Sequence, residues 1–162
     1  MKKLFVIAVC AGAIMLQAFR SDEDKNKGFA KMVFECIRKG DSVGFKKFFV
    51  TAIQFDSLVD KSTWTDEERE RNKKRFTQHF LDSVIPITYH DIHSEYALNW
   101  KNVVVDSIII KIKPVDGMES LSWRVFFTEN KNKYTLSNNK VLKTANGWKM
   151  ANKLIIYQEE KE

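Results

Sequence analysis

The spacing of apolar residues changes near Asn102, and this change limits the folds open to the chain more than any other feature of the sequence. Before Asn102, apolar residues recur at the three- and four-residue intervals of amphipathic helices; after it, apolar and polar residues alternate. In VVVDSIIIKIKPV, the alternation places Ile108 and Ile110 on one face of a strand and Lys111 on the other. The sequence therefore predicts a helical half followed by a half made of antiparallel strands.

Two helices are predicted between residue 27 and about residue 53. Residues 27–39 carry a helical apolar stripe, and Gly40 follows at the position where glycine commonly ends a helix. Asp41 or Ser42 can cap a second helix, in which phenylalanines and Ile53 repeat the helical spacing. We therefore expect Ile53 to share the apolar face of this second helix.

The third helix is predicted to begin at Thr65. In the segment TDEE, the Thr65 hydroxyl can accept from the amide of Glu68 while the Glu68 carboxylate accepts from the amide of Thr65, which is the capping box of a helix start. The helix gains an apolar face further on, at Phe76 and Val84. Pro86 has no amide hydrogen, so we expect it to kink or end this helix.

The strand half predicts a meander of four antiparallel strands. VDGME and ENKNK supply its first two turns, and Asn146-Gly147 is the pair that a type I′ hairpin prefers. The pair Asn138-Asn139 interrupts the third strand and predicts a β-bulge there. The whole pattern predicts an α+β fold, in which three N-terminal helices pack on a curved four-stranded antiparallel sheet.

The N-terminal segment predicts export. Residues 1–18 place two lysines before an apolar run, in the proportions of a secretory signal peptide, and we expect cleavage after Ala18. A disordered segment at 19–26 and a single domain at 27–162 should follow, in the periplasm or outside the cell, without stable membrane insertion after cleavage. Two alternatives stay open: acylation of Cys10 as a lipid anchor, and retention of the apolar run as a helical anchor.

Charge and cysteine content exclude several classes of function. The chain has a formal net charge of +6, but its lysines are scattered, so we expect no nucleic-acid partner. Cys36 is the only cysteine left after cleavage and lies on the apolar stripe of the first helix, which predicts neither a disulfide nor a reactive thiol. With six glycines and no phosphate-binding loop, nucleophile elbow or CxxC motif, the sequence predicts no cofactor.

The segment TYHDIHSEY, residues 88–96, contains two of the three histidines. His90 and His93 share a face if the segment is helical, but a zinc site requires three or four protein ligands, so we expect no metal. We interpret Tyr89 as an anchor of this segment, with His90 and His93 on the rim of a binding site, where either histidine could titrate near neutral pH.

Asp106 and Trp123 are the other candidate binding residues. Asp106 lies two residues before Ile108, so in an unbroken strand both side chains would point into the apolar interior. Burial there would raise the pKa of the Asp106 carboxyl, which could then act as a base together with His93. The alternative, which we favour, places Asp106 at the strand's end beside solvent or a bulge. Trp123 could stack on a planar ligand, although it also falls on the apolar face of its strand, which suits a place in the core.

The order of elements, and especially the ending NGWKMANKLIIY, in which a tight turn leads into a tryptophan-containing last strand, resembles the NTF2-like (cystatin-like, cone-shaped) superfamily. The resemblance is to small exported members in Bacteroidetes-like bacteria and covers roughly residues 27–157. It implies a cavity between helices and sheet. Families of this fold include isomerases, dehydratases, ligand carriers and partner-binding domains, so the resemblance does not name the contents of the cavity.

We favour an exported, non-catalytic binding domain over an enzyme. Its partner would be a small apolar or planar ligand or another protein, and a homodimer is also open. The first alternative is an enzyme that resembles ketosteroid isomerases or dehydratases, with Asp106 and a histidine or tyrosine as acid and base. The second is an interaction or inhibitor protein of the cell envelope that acts through its surface.

Overall fold

The computed structural model describes residues 22–159, except for the side chains of residues 78–80. The signal peptide predicted at residues 1–18 and the acylation considered at Cys10 therefore lie outside the described residues. Residues 22–26, which belong to the segment that we expected to be disordered, form the first turns of a helix. The folded part of the chain thus begins earlier than the predicted boundary at residue 27.

The described residues form an α+β structure in which five helices precede an antiparallel sheet. The helices are α1 (22–38), α2 (Ser42–Lys46), α3 (Ala52–Val59), α4 (Asp66–Arg75) and α5 (Gln78–Ser94), and a short 3₁₀ turn, Trp100–Asn102, leads into the sheet. The predicted α+β class is therefore confirmed, whereas two of the three predicted helices are each divided in two.

Pairing with the sheet divides the second predicted helix. The amide of Met150 donates to the carbonyl of Phe48 at 2.7 Å, and the amide of Val50 donates to the carbonyl of Met150 at 3.0 Å. These bonds hold the backbone between α2 and α3 in an extended form, because a helix would direct the same groups along its own axis. Ile53 consequently lies 82% exposed, and its predicted place on an apolar inner face is wrong.

The third predicted helix begins as expected and ends early. The Thr65 amide donates to Oε2 of Glu68 at 2.9 Å and the Glu68 amide donates to Oγ1 of Thr65 at 3.3 Å, so the capping box is confirmed. The helix stops at Phe76, and a second helix then continues through Pro86 to Ser94. The interruption lies at Phe76, and Pro86 does not end the helix that contains it.

Five strands form one sheet. They are β1 (Val104–Ile112), β2 (Ser120–Glu129), β3 (Asn132–Thr144), β4 (Gly147–Met150) and β5 (Ile155–Gln158). The order is β1-β2-β3, and both β4 and β5 pair with β3, at its end and its beginning respectively. The fourth predicted strand is therefore present in two pieces.

Asn138 explains the division of this last strand. The register between β2 and β3 shifts at the predicted bulge, because Leu121 is opposite Val141 whereas Trp123 is opposite Asn138. The buried Asn138 amide nitrogen donates to the carbonyls of Asn152 and Lys153, at 2.9 and 3.3 Å, in the segment between β4 and β5. The Asn138 side chain therefore replaces part of the backbone pairing that an unbroken fourth strand would make.

The core lies between α1 and the inner face of the sheet. Phe34 of α1 contacts the ring of Phe127 on β2, with ring centroids 5.2 Å apart, and Trp123 and Val125 are buried on the same strand. The outer edge of β1 is different, since Val104, Ile109 and Ile112 are exposed there. Within residues 22–159 we find no helix with the length and apolar character needed to cross a membrane.

A candidate binding site between α2 and α5

A tight turn at Gly40 places α2 beside α5. Gly40 has a φ of +70°, and the amide of Asp41 donates to the carbonyl of Cys36 at 2.9 Å, which ends α1 as the sequence predicted. Asp41 then caps α2, because its Oδ1 accepts from the amide of Gly44 at 2.8 Å. The aromatic ring of Phe45 on α2 consequently contacts Tyr89 on α5, with ring centroids 5.3 Å apart.

A pocket of about 330 Å³ opens between these two helices. Its volume is near the lower limit for small-molecule sites, which is roughly 300 Å³. Three of the five residues that we predicted as binding residues, Tyr89, His90 and His93, line this pocket. The complete lining is Ser42, Phe45, Lys46, Ile85, Pro86, Tyr89, His90 and His93.

Tyr89 and His93 lie side by side in the lining of the pocket. They are four residues apart on α5, and their ring centroids are 4.6 Å apart. His93 also contacts Trp100, at 5.4 Å between ring centroids. Neither Oη of Tyr89 nor Nε2 of His93 has a hydrogen-bond partner among the described residues, although both atoms are buried. Two hydrogen-bonding atoms on residues that line the pocket are therefore left unused by the folded chain.

Burial keeps both of these side chains uncharged. It lowers the pKa of His93 because the imidazolium form loses its hydration. Burial also raises the pKa of the Tyr89 hydroxyl, and the nearby carboxylate of Asp41 adds to this shift. At neutral pH the pocket thus contains a neutral imidazole and a neutral phenol, while Lys46 supplies a positive charge to its lining.

The structure does not bring Asp106 to this pocket. Val105 is opposite Phe127 and Ser107 is opposite Phe126, so Asp106 is the extra residue of a bulge in β1. Its exposed carboxylate accepts a 2.7 Å hydrogen bond from Oγ1 of Thr128. The bulge interrupts the alternation of side chains that would have directed Asp106 inward. Asp106 instead lines a separate surface pocket.

Trp123 is also absent from the lining. It is 1% exposed and lies in the core on β2, so a ligand could reach its ring only if the core opened. Its indole nitrogen has no hydrogen-bond partner among the described residues. The sequence allowed both a stacking role and a core role for Trp123, and its burial fits the core role.

The described residues contain no cluster of three or more histidine, cysteine or acidic side chains that could hold a metal ion. His90 is exposed, and His93 is the more buried of the pair. The sequence did not single out Phe45, Lys46 or Pro86 as lining residues, because each had an ordinary structural explanation. The four-residue spacing of Tyr89 and His93, with Ile85 one turn earlier, was the available signal for this face.

The chain was compared with protein-family models, curated proteins and solved structures, and none of the three comparisons gave a match.

Proposed function

We propose that this chain is an exported, non-catalytic binding domain that holds a small molecule in the pocket between α2 and α5. The ligand is mainly apolar and has one hydrogen-bonding group. The observation that carries the proposal is the pair of unused, buried polar atoms, Oη of Tyr89 and Nε2 of His93, on two residues that line the pocket. A buried polar group without a partner costs about 1–3 kcal/mol, and a ligand that pairs with it removes this cost.

The walls of the pocket support the apolar part of this ligand. The lining contains Ile85 and Pro86 of α5 and the buried Phe45 of α2, whose ring packs against Tyr89. Small-molecule sites commonly combine such walls with a few directed polar groups. A flat molecule with a carbonyl, phenol or amide at one end satisfies both requirements, because its polar end can face the Tyr89 hydroxyl.

The enzyme alternative has less support. Histidine that acts as a base is usually oriented by a third group such as a carboxylate. The lining of the pocket contains no aspartate or glutamate. Asp106 lies on β1 and is hydrogen-bonded to Thr128 on β2. The NTF2-like relationship remains part of the proposal, because helices packed against an antiparallel sheet support it. The resemblance implied a cavity between helices and sheet, whereas the pocket lies between two helices.

Binding of small fragments, followed by NMR, tests the proposal. The probes are phenol, benzamide and benzoate, titrated into ¹⁵N-labelled protein. We expect shifts in residues of α2 and α5, and a roughly five- to tenfold weaker affinity in Tyr89→Phe, because this variant loses only the hydroxyl. Tyr157→Phe is the matched control, since Tyr157 is exposed on β5. Shifts confined to other surfaces, or equal affinity in Tyr89→Phe, would argue against this site.

A protein partner is a second candidate, favoured by the edge of β1. The exposed side chains of Val104, Ile109 and Ile112 lie on a strand that pairs only with β2 among the described strands. A partner could add a strand to this edge by backbone hydrogen bonds. Ile109→Lys, which leaves the α2–α5 pocket unchanged, should abolish such an association and preserve fragment binding.

A further inference from the structure

A second concave surface lies on the other side of α2. We call it the α1 groove; it has a volume of about 470 Å³ and lies between α1, the end of α2 and the turn that joins β3 to β4. Its lining is Lys25, Phe29, Met32, Cys36, Gly44, Lys47, Phe48, Asn146, Gly147, Trp148 and Lys149. This groove shares no lining residue with the pocket between α2 and α5.

The floor of the α1 groove is apolar. Phe29 and Phe48 meet edge to face, with ring centroids 5.7 Å apart, and Met32 is 55% exposed beside them. The indole of Trp148 is fixed at one side, because its N–H donates to Oδ1 of Asn26 at 2.7 Å. A flexible methionine beside fixed aromatic rings forms an adaptable apolar surface, which suits a chain-like ligand better than a rigid one.

The rim of the α1 groove is positively charged. Lys25, Lys47 and Lys149 belong to the lining, which contains no aspartate or glutamate. The ammonium group of Lys149 donates to the carbonyl of Lys47, and Lys25 has only a 3.4 Å ion pair with the exposed Asp22. An ion pair in this environment is weak, so the charges of the rim remain largely available to an anion.

We propose that the α1 groove binds a single-chain anionic amphiphile, a long-chain carboxylic acid, with its acyl chain on the floor and its carboxylate among the three lysines. Charge complementarity selects the acid over an uncharged or cationic amphiphile of equal length. The groove lies along α1, and the apolar residues Phe29, Met32 and Cys36 follow one another at three- and four-residue intervals beneath an extended chain. This proposal does not rest on the one made for the pocket between α2 and α5, with which the groove shares no lining residue.

Titration of the full-length chain with dodecanoate, below its micelle-forming concentration, tests the proposal. The ¹³C-labelled carboxyl carbon of the ligand and the indole N–H of Trp148 provide the NMR signals. We expect dodecanoate to bind, and dodecyltrimethylammonium, which has an equal chain and the opposite charge, to bind at least tenfold more weakly. Equal binding of the two amphiphiles would overturn the charge argument.

Three variants locate the site. Lys25→Gln/Lys47→Gln removes two exposed charges and should weaken dodecanoate binding roughly tenfold. Met32→Glu places a carboxylate on the floor at an exposed position and should abolish binding. Lys101→Gln/Lys113→Gln is the matched control, because it also removes two exposed charges and neither lysine lines the α1 groove or the pocket between α2 and α5. If Met32→Glu binds dodecanoate as well as the parent chain, or if Lys101→Gln/Lys113→Gln weakens binding as much as Lys25→Gln/Lys47→Gln does, the α1 groove is not the site.

Vesicles separate a bound acid from attraction to a membrane surface. Anionic phosphatidylglycerol vesicles also carry negative charge, but they present it on a bilayer surface. The concave groove fits a single acyl chain better than it fits such a surface. We expect the Lys25→Gln/Lys47→Gln variant and the Lys101→Gln/Lys113→Gln control, which carry the same net charge, to bind these vesicles to a similar extent. Vesicle binding that follows the dodecanoate series, with no binding of monomeric dodecanoate, would overturn the proposal.

Discussion

The indole N–H of Trp148 donates a 2.7 Å hydrogen bond to Oδ1 of Asn26 and joins the first helix to the fourth strand. Asn26 is 6% exposed, which is unusual for a side chain in a segment that the sequence predicted to be disordered. Because the two residues are far apart in the chain, this bond forms only when α1 is in place on the sheet. The start of α1 is therefore part of the folded domain.

Replacement of Asn26 by alanine should reduce the free energy of unfolding by about 1–2 kcal/mol, since the buried indole N–H loses its acceptor. Chemical denaturation of Asn26→Ala, Trp148→Phe and the double variant measures the coupling between the two side chains. We expect the double variant to be more stable than the sum of the single effects predicts. Strictly additive effects would show that the bond contributes nothing to folding.

Replacement by alanine should have opposite effects at two glycines, Gly28 within α1 and Gly40 just after its end. Gly28 lies within α1 with no atom within 4 Å of an added Cβ, so Gly28→Ala should stabilise the protein by about 0.5–1 kcal/mol. Gly40 has a φ of +70° at the end of α1, so Gly40→Ala should destabilise it by about 1 kcal/mol. Thermal unfolding checks both, and equal signs would refute the assignment of the helix end.

The amide of Asn138 should be one of the most sensitive polar groups of the sheet. It is 1% exposed, donates to the carbonyls of Asn152 and Lys153, and accepts from the amide of Lys140 at 2.9 Å. Asn138→Ala leaves these backbone groups without their partner, and we expect a loss of about 2–4 kcal/mol in denaturant unfolding.

Its neighbour provides the matched control. Asn139 is exposed and accepts one hydrogen bond from the side chain of Asn152 at 3.0 Å, so Asn139→Ala should change the free energy of unfolding by less than about 0.5 kcal/mol. A comparable loss in both variants would mean that the bulge itself, rather than the Asn138 side chain, carries the stability.

Local signals in the sequence predicted much of this fold correctly. The end of α1 at Gly40, the capping box at Thr65 and the bulge beside Asn138 each depend on a few adjacent residues, and all three are present. The first two are predictable because their hydrogen bonds run between residues close together in the chain, and the bulge is predictable because the Asn138-Asn139 pair interrupts the strand pattern locally. The α+β class follows similarly, from the change of apolar period near Asn102.

Contacts between distant segments explain what the sequence did not predict. The backbone between α2 and α3 is extended because it pairs with Met150, which no local pattern reveals. Asp106 lies exposed in a bulge of β1, as in the alternative that we favoured, but the sequence also left an inward direction open, because a shift of one residue reverses every side chain beyond it. The pocket was only partly predictable, because Tyr89 and His93 come from one helix whereas Phe45 and Lys46 come from another.

The protein should lose stability in mild acid through His93. Burial lowers the pKa of this side chain from its ordinary value of 6.5, so the unfolded chain binds a proton more readily than the folded chain does. Well above pH 6.5 both states are neutral at this residue, and it adds no pH dependence. Below that value, stability falls as the pH falls, until the folded state is protonated as well.

Thermal unfolding between about pH 7.5 and pH 5 measures this contribution. Carboxylates also titrate in this range, so the informative quantity is the difference between the parent chain and His93→Phe, which retains a ring but cannot bind a proton. We expect His93→Phe to lose less stability on acidification. Tyr157→Phe, an aromatic substitution at an exposed position on β5, should follow the parent chain. If all three show the same pH dependence, His93 does not titrate as its burial requires.

The five-residue helix α2 is a common wall of two sites. Phe45 and Lys46 face the pocket shared with α5, whereas Lys47 and Phe48, immediately after, face the α1 groove. Any ligand that displaces this wall from one side changes the space on the other. Thermodynamic reciprocity then requires each ligand to alter the affinity of the other by the same factor. Two ligands of unrelated chemistry would thus have coupled affinities, and the coupling would pass through a single turn of helix.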